Sequence, residues 1–310
     1  MEMKNYRYLL VITLFFSWVF TSEAQKVKLQ YHLQAGDVFK YEVNFIQESE
    51  SEIMGQIQNM HNSGSNQFNF KVDSVLPSGD MVLRAANVSF ALSIVMPTGE
   101  MKFNSATDSV IPAFARIPIM ALNQYYSFNL SPSGKISNLK APKGLAEKLE
   151  SAVSQLGTLT LGMGDILGAN LGPDGFLKSM EGAFMNFPEG YTEPNIPWED
   201  DSEINIIASQ KIHYNYQLLN SGTDRNEIKV SAQITMNRDK APVELMGMKM
   251  TYDLAGTKEG RIILDAATGL MTQSENTTLI NGRISIDGPE LPSSMVIPMK
   301  IRMVDKLTRI

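Results

Sequence analysis

Methionine offers the most chemistry in this chain. Met246, Met248 and Met250 fall on one face of an alternating stretch, and Met295, Ile297, Met299, Ile301 and Met303 repeat the arrangement near residue 300. Neighbouring side chains on one face of a strand stand about 6.5–7 Å apart. Thioethers are soft ligands that select Cu(I), which is one reading of such a row. A second is a core face filled with adaptable side chains, and a third is a deformable apolar cavity for a lipid-like ligand. No cysteine or nearby histidine completes a metal set, and the spacing is simply the strand period. The core face therefore outweighs copper, and no metal is expected.

Other motifs carry less. Gly162-Met163-Gly164-Asp165-Ile166-Leu167-Gly168 has one residue too many for a dinucleotide loop and lacks a βαβ setting. Ser137 and Lys140 have the Ser-x-x-Lys spacing of penicillin-binding enzymes, but the other two elements of that signature are missing, and a strand end is the expected home. His32, His61 and His213 lie in separate segments without metalloprotease spacing. Glu199, Asp200, Asp201 and Glu203 lack the alternation and glycine of a calcium loop, so a solvated loop is expected there. Asn87, Asn129 and Asn276 begin glycosylation triplets, the first two in strand-like stretches.

The elements that must position these residues are mostly strands. Phe39-Tyr41-Val43-Phe45, Phe68-Phe70-Val72, Val88-Phe90-Leu92-Ile94-Met96, Ile212-Tyr214-Tyr216-Leu218 and Ile228-Val230-Ala232-Ile234-Met236 each alternate with polar neighbours. Period-two alternation means half-buried antiparallel strands. Gly-centred turns at residues 35–37, 77–80, 131–134, 220–224 and 267–269 make them hairpins in series. Residues 68–90 and 214–236 share one strand-turn-strand pattern, and residues 126–139 and 260–275 share another in the same order, which suggests a duplicated β-unit.

One stretch breaks the alternation. Leu145, Leu149, Val153 and Leu156 recur at helical spacing, and Phe176, Leu177, Met180, Phe184 and Phe187 do so after Asp174, which can cap that helix. Burying Phe176, Leu177, Met180 and Phe184 on a sheet would stabilise by roughly 6–12 kcal/mol. The acidic, proline-bearing residues 188–201 form the boundary before the second half.

Residues 1–24 read as a signal peptide: Lys4 and Arg7, then the apolar run Leu9 to Phe20, then small residues before a cut between Ala24 and Gln25. The run falls short of the ~20 residues that span a bilayer. With no cysteine in the chain there is neither a disulfide framework nor a thiol for acylation, which suits a periplasmic or secreted protein. The net charge of -6, with no dense basic run, argues against nucleic acid as a partner.

The segment around Ala35, Gly36, Asp37, Phe39, Tyr41 and Val43, and more loosely Leu264-Asp265 with Gly269-Leu270-Met271, resembles a domain-of-unknown-function family of exported Bacteroidota proteins. That resemblance implies no established activity and lends no catalytic residue. In pattern order alone the chain is similar to the periplasmic lipoprotein carriers, where a curved antiparallel sheet holds acyl chains. The expected fold is α+β and mostly β, with long antiparallel hairpins forming a curved sheet or half-barrel and a helical insertion packed on it. The divisions are a signal peptide (1–24), an N-terminal β-unit (25–140), a helical insertion (141–190) and a C-terminal β-unit (191–310) able to join the first. The expected function is non-enzymatic binding of a hydrophobic or lipid-like ligand, without a cofactor. The ligand face would comprise Met163, Leu167, Phe176, Met180 and Phe184 from the insertion and Met246, Met248 and Met250 from the strand. An envelope structural or interaction module without a small-molecule ligand is the alternative, and a hydrolase assembled from distant residues is the third reading.

Overall fold

A computed structural model describes residues 26–97, 99–155, 182–205, 209–237, 242–245, 247–289, 291 and 293–310. The protein is mostly β, an antiparallel sheet not closed into a barrel. The strands are β1 (Val38–Ile53), β2 (Gln56–Val75), β3 (Met81–Met96), β4 (Gly99–Asn104), β5 (Tyr126–Leu130), β6 (Ile136–Lys140), β7 (Pro197–Asn205), β8 (Ser209–Ser221), β9 (Arg225–Met236), β10 (Val243–Leu245), β11 (Met248–Asp265), β12 (Met271–Asp287) and β13 (Met295–Arg309). Their order across the sheet is β6-β5-β3-β2-β1-β13-β12-β11-β9-β8-β7, with β4 added to β3 and β10 to β11.

Local chemistry sets the register. The β1–β2 hairpin turns on Met54 and Gly55 alone, both at positive φ, the two-residue turn whose twist matches the strands it joins. The Ala-Gly-Asp turn before β1 is pinned by the Asp37 carboxylate, which accepts the Gln34 amide at 2.8 Å, and Gly36 supplies φ +97°.

The matched hairpins of the sequence fall at corresponding places in the sheet. Residues 68–90 form β2–β3 and residues 214–236 form β8–β9; residues 126–139 form β5–β6 and residues 260–275 form the meeting of β11 and β12. Each set occupies consecutive places in the sheet, and β13 joins the halves by pairing with both β1 and β12. The helix Leu145–Gln155 lies in the connection between β6 and β7, which are the two edges.

Those edges approach each other at one end. The Phe187 amide donates to the Ser133 carbonyl at 2.8 Å in the β5–β6 turn, while Asn186 donates to Asp200 on β7 at 2.9 Å. The segment before β1 crosses the same end, with the Tyr31 amide on Pro132 and the His32 amide on Thr268. Gly134 and Gly269, at corresponding turns of the two halves, permit this closure. A Cβ on Gly134 would lie 2.0 Å from the Met185 carbonyl oxygen, and one on Gly269 2.2 Å from that of Gln30. Beneath them is the main core: Tyr31, Phe39, Tyr41, Phe70 and Phe184 with Leu218, Ile228 and Leu264 from the other half.

Among the described residues there are two α-helices, α1 (Arg116–Ala121) and α2 (Leu145–Gln155), besides a 3-10 turn at Ala113–Ala115. Leu145 and Leu149 of α2 enter the main core, as their spacing requires. Two expectations are corrected. Phe184 and Phe187 are not helical, because the amides of Met185 and Phe187 turn to the Tyr31 hydroxyl and the Ser133 carbonyl instead of to their own preceding turn. The acidic run at 199–203 is not a loop but the edge strand β7, where charge deters further strand pairing. Ser137 does lie on a strand, β6.

Candidate ligand face

Strand register assigns every inward side chain to a row across the sheet, since residues directly opposite in antiparallel strands share a face. Three rows matter. Nearest the main core is the row Val43, Leu307, Ser274, Ile262, Ile228 and Leu218. The next is Phe45, Asp305, Asn276, Gly260, Val230 and Tyr216. The third is Asn62, Gln47, Met303, Thr278, Lys258 and Ala232. Beyond it the face is apolar again, through Ile301, Ile280 and Ile234 to Ile297, Ile284 and Tyr252. The inner face is therefore an aromatic core, a polar belt and a second apolar field.

The belt is made on β11, β12 and β13. Lys258 Nζ stands 3.4 Å from Asp305 Oδ1, with both side chains mostly buried. Asn276 Nδ2 donates to Asp305 Oδ2 at 2.7 Å and to Ser274 Oγ at 3.1 Å. An ionised carboxylate only accepts, so it fixes the amide orientation and turns Asn276 Oδ1 over Gly260. Thr278 Oγ1 and Asn62 Oδ1 are buried without a hydrogen-bond partner. Such groups cost about 1–3 kcal/mol each when left unpaired.

The second apolar field is where both methionine rows meet. Met248, Met250 and Tyr252 of β11 pack with Met295 and Met299 of β13 around the buried Ile284, Ile286 and Ile297 of β12 and β13. These methionines are half-buried, and the Met250 sulfur accepts from the Tyr252 hydroxyl at 3.8 Å. Four strand glycines, Gly64, Gly256, Gly260 and Gly282, all fall on inward rows, where they leave the face without side-chain bulk. Glycine inside a strand marks a bend or a close approach by another group.

The candidate residues from the sequence separate. Phe184 sits in the main core against Phe39, Phe70 and Phe128, with ring centroids 5.5–6.3 Å apart. Met299 lies opposite Ser51, twelve residues along β1 from Phe39. At about 3.3 Å per residue that is roughly 40 Å. Phe184 therefore shares no site with Met248 and Met250, which do lie together. Met163, Leu167, Phe176, Met180 and Met246 fall outside the described residues. Lys258, Asp305 and Asn62 escaped the sequence reading, which met Asn276 and Thr278 only as a glycosylation triplet. Their signal was present as polar residues in the inward register of otherwise apolar alternation, as at Leu254, Gly256, Lys258, Gly260 and Ile262.

Burial pushes the hydroxyls of Tyr31, Tyr41 and Tyr216 well above the ordinary tyrosine range, and Tyr126 up to about 12. On the outer face His213 Nδ1 meets Asp201 at 2.8 Å, and its Nε2 lies 3.8 Å from Glu199. The hydrogen bond to Asp201 and the two carboxylate charges raise this imidazole above its usual value. No cluster of three histidine, cysteine or acidic side chains suited to a metal occurs among the described residues. The outer face behind the belt carries a groove of about 660 Å³, but its charges pair with one another, Lys300 with Glu50 at 2.9 Å and Arg302 with Glu48 at 3.5 Å.

Comparison with solved structures returns low similarity. A lipovitellin structure, from work on its lipid–protein interactions, is 10% identical and matches over 90% of this chain with a TM-score of 0.47; this chain spans 25% of that one. The translocator domain of the autotransporter NalP from Neisseria meningitidis is 7% identical, covering 90% of each chain with a TM-score of 0.19. A DUF1329 family protein from Desulfovibrio piger is 7% identical, covering 83% of each chain with a TM-score of 0.12. No curated protein matches the chain. A family model matches residues 78–271, a span that takes in Leu264-Asp265 and Gly269-Leu270-Met271 but not the turn at Ala35: the chain belongs to the family of unknown function DUF6263.

Proposed function

We propose that this protein is an exported, non-catalytic carrier or receptor for an elongated hydrophobic ligand of the lipid class, held along the inner face beyond the polar belt. The observation that carries this reading is the convergence of the β11 and β13 methionine rows into one half-buried field around Ile284, Ile286 and Ile297. From Met303 at the belt to Met295 the field runs eight residues along β13, about 26 Å. Unbranched thioether side chains repack around varied shapes, which suits a ligand defined by length and apolarity rather than by a rigid outline. Export is inferred from residues 1–24.

The test is recovery of the protein from the periplasm of a producing cell, with native and denaturing mass spectra. The expected result is an N-terminus at Gln25 and a mass excess, released on unfolding, in the range of a lipid. A bare mass together with no uptake of Nile red, an uncharged apolar probe, would overturn the reading. Cross-linking in cells would then be expected to capture a protein neighbour instead.

A further inference from the structure

Building on that ligand reading, we propose that the polar belt is the head-group subsite of the inner face, and that it takes the uncharged, hydrogen-bonding head of a single-chain amphiphile of the monoacylglycerol type. The belt interrupts two apolar fields, which a purely apolar ligand would have no use for. Thr278 and Lys258 lie directly opposite each other on β12 and β11 and share the inward face. Thr278 is 4% exposed and its hydroxyl has no hydrogen-bond partner. Lys258 has three N–H donors, and Asp305 Oδ1 lies 3.4 Å from its Nζ in a geometry that leaves this oxygen without a hydrogen bond. Three strands from β12 in the same row, beyond Met303 and Gln47, Asn62 Oδ1 is a further buried acceptor without a partner. Thr278 and Lys258 thus set a free hydroxyl beside ammonium donors on neighbouring strands, the arrangement that an ester carbonyl and an adjacent hydroxyl satisfy together.

Charge decides against an ionic head. Lys258 and Asp305 already neutralise each other, and Asn276 holds the second carboxylate oxygen. A carboxylate or phosphate entering this mostly buried site would add a net charge beside Asp305 and pay desolvation without a free counter-charge. A neutral head meets no such penalty. The remaining polar members of the row are Gln47, Tyr214 and Asp200, the last engaged by Asn186.

The experiment measures displacement of Nile red from the full chain by 1-monopalmitoylglycerol and by palmitate, on wild type and on Thr278→Val, Thr278→Ser and Lys258→Met. Expected is a preference for monopalmitoylglycerol, lowered roughly 3- to 10-fold in Thr278→Val, the usual effect of one lost hydrogen bond, and restored in Thr278→Ser. Nile red binding itself should stay within twofold in both Thr278 variants, which also controls for folding. Unchanged monopalmitoylglycerol affinity in Thr278→Val would overturn the head-group subsite while leaving the apolar field as a ligand site. Tighter binding of palmitate, abolished in Lys258→Met, would overturn the uncharged head. Absence of Nile red binding in the wild type would remove the ligand reading itself.

Discussion

The two ends of the inner face obey the same alternation and are built from opposite materials. At the closed end, Phe39 and Phe70 stack at 4.8 Å and 3°, and Phe184 meets Phe70 edge-on at 5.5 Å, with Tyr31 beneath Met185. At the other end half-buried methionines surround a few isoleucines. Aromatic rings have two side-chain torsions and preferred mutual geometries, so they define one arrangement. Methionine has three rotatable bonds and tolerates many. The contrast teaches that the aromatic end is packed for one arrangement, while the methionine end is left free to adapt.

The largest effect should come from the rigid end. Phe70→Ala is expected to lower stability by about 3–5 kcal/mol in denaturant titration, because a ring bounded by three others cannot be refilled. A loss below about 1 kcal/mol would mean that the two ends do not differ in packing. Gly134→Ala should follow at about 1–3 kcal/mol from its φ of +97° alone, with a further cost because the new Cβ meets the Met185 carbonyl. If a melt of this variant matched wild type, the closure of the two edges would not depend on that contact.

Acid should weaken the closed end through Asp265. Burial tends to raise the Asp265 carboxyl, but hydrogen bonds from Thr268 and Arg309 and the Arg309 charge outweigh it and hold the group below the ordinary aspartate value. Its contribution is therefore present above the unfolded pKa and lost as pH falls through the lower folded pKa. Asp265→Asn should flatten that acid limb of a stability–pH curve; an unaltered limb would assign it to other carboxylates.

Met299→Leu, at the adaptable end, should cost less than about 1.5 kcal/mol, since the exchange conserves volume. The proposed ligand role predicts a narrower range of acyl lengths bound, read by displacement of Nile red. The smallest effect belongs to the outer face. In an NMR titration His213 should have a midpoint above the ordinary histidine value, returning toward it in Asp201→Asn. Because the folded pKa is the higher one, any stability it supplies is complete below the unfolded pKa and disappears as pH rises through the folded value.

Much of this was legible one strand at a time. Phe39, Tyr41 and Phe70 declared their inward faces by alternation, Met54-Gly55 and Ala35-Gly36-Asp37 declared turns, and the matched hairpins declared a repeat. Phe184 and Phe187 misled, since spacings of three and four suit a helix but do not reveal that Tyr31 and Ser133 have claimed the neighbouring amides.

The sequence by itself determined which residues alternate, where the chain reverses and that both methionine rows face one side of their strands, because these depend on neighbours within a few bonds. Tertiary structure alone decided that β13 inserts between β1 and β12, placing Asp305 beside Asn276 and within reach of Lys258 and bringing Met295 to Ile286. Register between strands tens of residues apart is fixed by the whole set of cross-strand contacts, and no local pattern contains it.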